Sequence, residues 1–156
     1  SFEPMGPVVF EAISEEEWQF SHWEVAVSEP SPEAKANPMA LDLTDVPVEI
    51  VTAHFEPVEF HMYVPNAFTP DNDGVNDAFH PLGSGFEGEM FWYGIFNRWG
   101  ELVFETTDPE VSWYGQDQRG EGTYFVPDGV YGFSVNVKGF HDLVPTHLRG
   151  TVTVVR

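Results

Sequence analysis

The amino-acid sequence predicts an all-β protein, and three observations carry that reading. Tyr131, Phe133, Val135 and Val137 alternate with Gly132, Ser134, Asn136 and Lys138, the period of two that turns one face of a strand toward a core. Turn signals at Asp73-Gly74, Trp99-Gly100, Gly120-Glu121-Gly122 and Pro127-Asp128-Gly129 recur at spacings suited to a sandwich. Only Ser14-Glu15-Glu16-Glu17 has the pattern of a helix start, and no apolar stripe follows it.

Taken in order, the strand signals begin at residues 8–13 and 19–27. Val51, Ala53 and Phe55 then alternate with Thr52 and His54. Further strands are expected at residues 58–64, 91–98 and 101–105, then 131–137, and finally where Val152 and Val154 alternate with Thr151 and Thr153. Residues 28–37, with Pro30, Pro32 and Pro38 in or beside them, read as a surface connection. Pro57 and Pro65 bracket a short extended segment across which the style of the sequence changes. The expected organisation is a β-rich unit over residues 1–57, a linker over 58–62 and a second unit over 63–156.

The chain has 156 residues, with 26 acids against 6 bases and a net charge of −20. Residues 1–62 carry −12 and residues 63–156 carry −8, so the charge belongs to the whole surface. Nothing would offset phosphate repulsion, which argues against nucleic acid or an anionic membrane as partner. No apolar run approaches the length of a bilayer-spanning helix. The absence of cysteine excludes disulfides, thiolate metal sites and cysteine nucleophiles. The chain begins at Ser1 with no signal peptide after it, so it reads as a processed product or the end of a longer protein.

Four co-linear motifs set the second half apart. The first is Val64-Pro65-Asn66-Ala67-Phe68-Thr69-Pro70 running into Asp71-Asn72-Asp73-Gly74-Val75-Asn76-Asp77. The second runs from Ile95-Phe96-Asn97-Arg98-Trp99-Gly100 to Glu105, and the third is Val126-Pro127-Asp128-Gly129-Val130-Tyr131. The fourth is the ending Arg149-Gly150-Thr151-Val152-Thr153-Val154-Val155-Arg156. In these, residues 63–156 resemble the gliding-motility-associated C-terminal domain of Bacteroidetes, the type B C-terminal sorting domain of type IX secretion.

The resemblance implies an immunoglobulin-like antiparallel β-sandwich of about seven strands. It also implies a sorting signal that the type IX translocon and its outer-membrane adaptor proteins recognise in folded form, carrying upstream domains of the same polypeptide to the cell surface or medium. The chain departs from the family at Trp113-Tyr114-Gly115, where Trp-Asp-Gly is usual, in the insertion-like stretch 116–123, and at Asp71-Asn72, where Asn-Gly is commoner. Residues 1–57 more weakly resemble a divergent bacterial repeat of the internalin B type, through Phe20-Ser21-His22-Trp23-Glu24 and Ile50-Val51-Thr52-Ala53-His54-Phe55. Such repeats are surface spacers.

The chemistry open to these motifs is narrow. Asp71, Asp73 and Asp77 offer hard oxygens at i, i+2 and i+6 around a bend at Gly74, a pattern suited to calcium or to a turn whose side chains bond their own backbone. Arg98-Trp99-Gly100 reads as a hairpin tip in which Trp99 packs over the sandwich end and Arg98 stacks on an aromatic or pairs with an acid. Asp128 stands in a turn from which it can reach a cation. No enzyme constellation emerges: Ser84 in Gly83-Ser84-Gly85 lacks a nucleophile elbow, and the six histidines lack zinc spacing. The protein is therefore expected not to be an enzyme. Two other readings remain, an adhesin or fibre component joined through sheet edges, and a calcium-dependent carbohydrate-binding module using Trp18, Trp23, Trp92, Trp99, Trp113, Tyr93 and Tyr114.

Overall fold

Strands carry nearly all the regular structure of the chain. The computed structural model describes residues 7–27, 35–41, 48–120 and 124–156. The Gly120-Glu121-Gly122 turn and most of the 28–37 connection lie in part or whole outside the described residues. The chain divides into two compact units, Ser1–Val58 and Glu59–Arg156.

In the first unit β1 (Val8–Phe10) pairs antiparallel with β3 (Met39–Leu41), and β2 (Trp18–Val27) with β4 (Val48–Pro57). The alternation of β2 turns Trp23 and Val25 inward, where they bury with Met39 against Phe10, Phe20 and Val51. The Phe20 and Phe10 rings lie 5.4 and 6.2 Å from that of Trp23, whose indole N–H donates to the Ala36 carbonyl. Asn37 ties the ends together, accepting from the Ala12 N–H and donating to the Ala12 carbonyl. The helix start suggested at residues 14–17 is instead a turn into β2, closed by the Trp18 N–H on the Glu15 carbonyl. Without an apolar stripe, a helix there has no face to bury.

The second unit contains β5 (His61–Tyr63), β6 (Ala67–Phe68), β7 (Leu82–Ser84), β8 (Trp92–Phe96), β9 (Leu102–Thr106), β10 (Gly129–Val137) and β11 (Thr146–Val154), with a 3₁₀ turn at Gly88–Met90. Five of them form one sheet in the order β6-β11-β10-β8-β9, and β5 pairs with β7. Within residues 58–64, where the sequence places both a linker and a strand, His61–Tyr63 form β5, with His61 and Met62 paired to Ser84 and Gly83. One pair departs from the antiparallel expectation: β6 runs parallel to β11, with Phe68 opposite Val154. A long excursion of chain separates these two strands, so no hairpin forces them to be antiparallel.

The core of this unit is aromatic. Phe68, Phe79, Phe91, Tyr93, Phe104 and Trp113 are each at most 2% exposed, packed with Ile95, Val103, Val135, Val137, Val152 and Val154. Ring contacts link Phe91 to Tyr93, Tyr93 to Phe104, Phe104 to Trp113, and Trp113 to both Phe68 and Tyr131. Burial pushes the Tyr93 phenol far above its ordinary range, and its hydroxyl donates to the Val111 carbonyl at 2.9 Å. Gly150 on β11 faces Phe133 on β10, and a Cβ there would lie 2.6 Å from the Phe133 ring tip. The outer edge of β9 is covered: the Gln118 N–H donates to the Val103 carbonyl, and the Gln118 side-chain oxygen accepts from the Glu105 N–H.

Candidate functional site

The second and third sequence motifs and Arg156 meet at one end of the five-stranded sheet, where β8 leaves, β9 and β10 enter and β11 finishes. The β8–β9 connection is built by Asn97. Its side-chain oxygen accepts from the Trp99 and Glu101 N–H groups, each at 3.0 Å, and its amide donates to the Glu101 carboxylate at 2.6 Å. Its backbone closes the same turn with Glu101 and Gly100, and Gly100 takes φ +78, which a side chain would strain. The turn is thus complete without the side chains of its two central residues. Arg98 lies 5.1 Å over the Trp99 ring. Trp99 itself is 74% exposed, contrary to the expectation that it packs over the sandwich end. The ring sits at the tip of a tight turn, where the strands below do not reach it.

Beside this tip, Tyr131 closes the Pro127-Asp128-Gly129 turn by donating its hydroxyl to the Pro127 carbonyl at 2.7 Å, in the manner of a tyrosine corner. Asp128 does reach a cation, that of Arg156. One carboxylate oxygen accepts from the Arg156 guanidinium at 3.0 Å and the other from the Arg156 backbone N–H at 3.1 Å. The same guanidinium donates to the Val126 carbonyl. These turns enclose a cleft of about 420 Å³ lined by Asn97, Arg98, Trp99, Asp117, Asp128 and Tyr131, among others.

Arg119 and Asp117 also line it, and sequence reading passed over both. Arg119 makes a two-pronged contact with Asp117 and an ion pair with Glu101. The Asn97 amide, with Arg119 nearby, holds the Glu101 carboxyl below the usual range. The Arg119 hydrogen bond does the same for Asp117, and Arg119 is itself pushed upward. A signal was present: Arg119 is one of only six bases and falls in the insertion-like stretch.

The acidic loop follows β6. Phe68 anchors it, fully buried against Trp113 at 5.3 Å, while the Thr69 N–H donates to the Asn76 carbonyl. Asn66 offers its carbonyl to the Thr153 N–H of β11, and Pro70 lines a second hollow with Asn72, Asp77, Tyr114 and Phe125. Asp71, Asp73 and Asp77 do converge, each with a carboxylate oxygen within 4.8 Å of the others. They are also engaged with backbone. Asp77 accepts from the Asn72 and Gly74 N–H groups at 2.7 and 2.8 Å, Asp73 from Val75 at 2.8 Å and Asp71 from Asp73 at 3.2 Å. Asn72, Gly74 and Asn76 take positive φ, the conformations that Asn and Gly tolerate best.

Trp113, at the family departure, is fully buried, and its indole donates to the Gln116 carbonyl. Gly115 keeps the turn at φ +87, and Tyr114, where Asp is usual, is exposed. The seven aromatics proposed as a sugar platform do not form one surface. Trp23 and Tyr93 are core residues because the strand period carries them inward, and Trp113 is buried where an isolated bridge joins it to Phe79.

Turns held by side-chain amides, an Arg–Trp pair and ion pairs define a turn-rich module built on a β-sheet frame. The family model of the CHU_C type IX secretion signal domain matches residues 62–147, more than half of the chain. The protein belongs to that family. No curated protein and no solved structure matches it. The family role is to direct secretion, which is not an enzymatic one, and it implies export to the cell surface or beyond and interaction with the secretion machinery. No helix among the described residues is long and apolar enough to cross a membrane.

Proposed function

We propose that residues 59–156 act as a sorting module that the type IX translocon and its outer-membrane adaptor proteins read in folded form, with residues 1–57 as a spacer between it and upstream cargo. The observation that carries this reading is convergence. Asn97, Arg98, Trp99, Asp128 and Tyr131 belong to motifs about thirty residues apart in sequence, yet they line one cleft. A surface assembled from distant segments exists only in the folded module, so a machine that reads it must read the fold. The covered edge of β9 gives the fibre reading little support, because the main sheet's long outer strand already has partners.

The test is a fusion of the chain to the C-terminus of a periplasmic reporter in a gliding bacterium. The reporter is expected at the cell surface or in the medium. Retention in the periplasm, while a related terminal domain exports the same reporter, would sink the proposal.

A further inference from the structure

Three of the six basic residues, Arg98, Arg119 and Arg156, gather at the turn end of the second unit, in a chain of net charge −20. Two are engaged, Arg119 by Asp117 and Glu101, and Arg156 by Asp128. Arg98 is different: among the described residues it makes no ion pair, and its guanidinium lies over the face of Trp99, with its charge felt at the Tyr131 phenol. Asn97 and Gly100 hold the turn, so neither side chain is needed for its shape. A large apolar ring left 74% in water, with a guanidinium laid across it, contributes little to the fold. Trp and Arg are the residue types that most often dominate binding energy at protein interfaces.

We infer that Arg98 and Trp99 are the docking point for a carboxylate-bearing loop of the secretion machinery, an inference that rests on the sorting role proposed above. Charge complementarity selects this occupant. The guanidinium fork matches a carboxylate in two-point geometry, and its place 5.1 Å over the Trp99 ring uses none of its N–H donors in an ion pair among the described residues. Trp99 and Val130, which is 58% exposed, offer an apolar wall for the carbon stem of an Asp or Glu side chain. The acids nearest the cleft are largely offset: Glu101 and Asp117 share Arg119, Asp128 pairs with Arg156, and the charge of Arg98 balances the one carboxylate left over. Screening over about 8 Å at physiological ionic strength mutes the rest of the −20 charge.

The experiment uses the full chain fused to the periplasmic reporter, in four variants beside the parent. Arg98→Gln removes the charge, Arg98→Lys keeps it without the fork, and Trp99→Ala removes the stacking face. Leu143→Ser alters a side chain that is 97% exposed in the loop between β10 and β11, at the other end of the sheet. Melting curves of the purified variants report folding, and these side chains are exposed enough to leave it intact. Arg98→Gln and Trp99→Ala are each expected to lower surface reporter by at least about tenfold, the size of a hot-spot loss. Arg98→Lys should fall between, and Leu143→Ser should match the parent. A parent fusion that stays in the periplasm refutes the sorting role itself. A parent that is exported equally well as Arg98→Gln overturns the docking assignment. Loss with Trp99→Ala alone overturns the carboxylate as occupant.

Discussion

Asp128 shows how one residue joins two distant parts of the chain. Its two oxygens hold the backbone and the guanidinium of Arg156, so the end of β11 is tied to the turn that opens β10. Both side chains are partly exposed, which limits the value of the pair. Asp128→Ala is expected to lower stability by about 1 kcal/mol in chemical denaturation, and Arg156→Ala by a similar amount. Asp77 is a second such residue, because it satisfies two N–H groups of a loop whose Asn72 and Asn76 take positive φ. Asp77→Ala should cost about 1–2 kcal/mol. If the carboxylates serve chiefly as turn staples, the melting temperature will be the same with and without chelator. A rise on adding millimolar calcium would assign Asp71, Asp73 and Asp77 as ligands instead. The type of each residue was legible in sequence, and so was the choice between ion and turn. The partners were not, because Asp128 and Arg156 are 28 residues apart and no local spacing joins them.

Long strands announce themselves, and short ones do not. Residues 131–137 of β10 show an unbroken period of two, whereas β6 has two residues and β3 and β7 have three, too few for any period. Pairing with a distant partner makes these short segments strands: β6 on β11, β7 on β5 and β3 on β1. Gly150 illustrates a choice visible only across a pair. Within β11 it looks like a weak point, since glycine is a poor strand former. Opposite it, however, the Phe133 ring occupies the space a Cβ would need. Gly150→Ala is therefore expected to destabilise by about 1–3 kcal/mol, despite the better strand propensity of alanine. Combining it with Phe133→Ala should recover part of that loss, and a double-mutant cycle measures the coupling.

At the scale of the molecule, the aromatic core sets the response to alkali. The Tyr93 phenol is held in its neutral form by burial, with a folded-state pKa far above the ordinary value of 10.0. Above that value the unfolded chain loses a proton that the folded chain keeps, so stability falls as pH rises from 10 upward, by as much as about 1.4 kcal/mol per unit from this group. Burial shifts Tyr131 in the same direction. Denaturation midpoints followed between pH 9 and 11 should show a shallower decline in Tyr93→Phe than in the parent. A parallel decline would mean that other groups govern the alkaline limit. The sequence alone determined the all-β class, the aromatic sandwich core without disulfides, and the family, because strand period and turn chemistry are local and the four motifs keep their order. It also marked Arg98, Trp99 and Asp128 as residues of interest. Only the tertiary structure decided that β6 lies parallel to β11, that Trp113 is core while Trp99 stands in water, and that the motifs share one cleft with Arg119. Those outcomes depend on which distant segments pair and which face they bury, and no short window of sequence contains both partners.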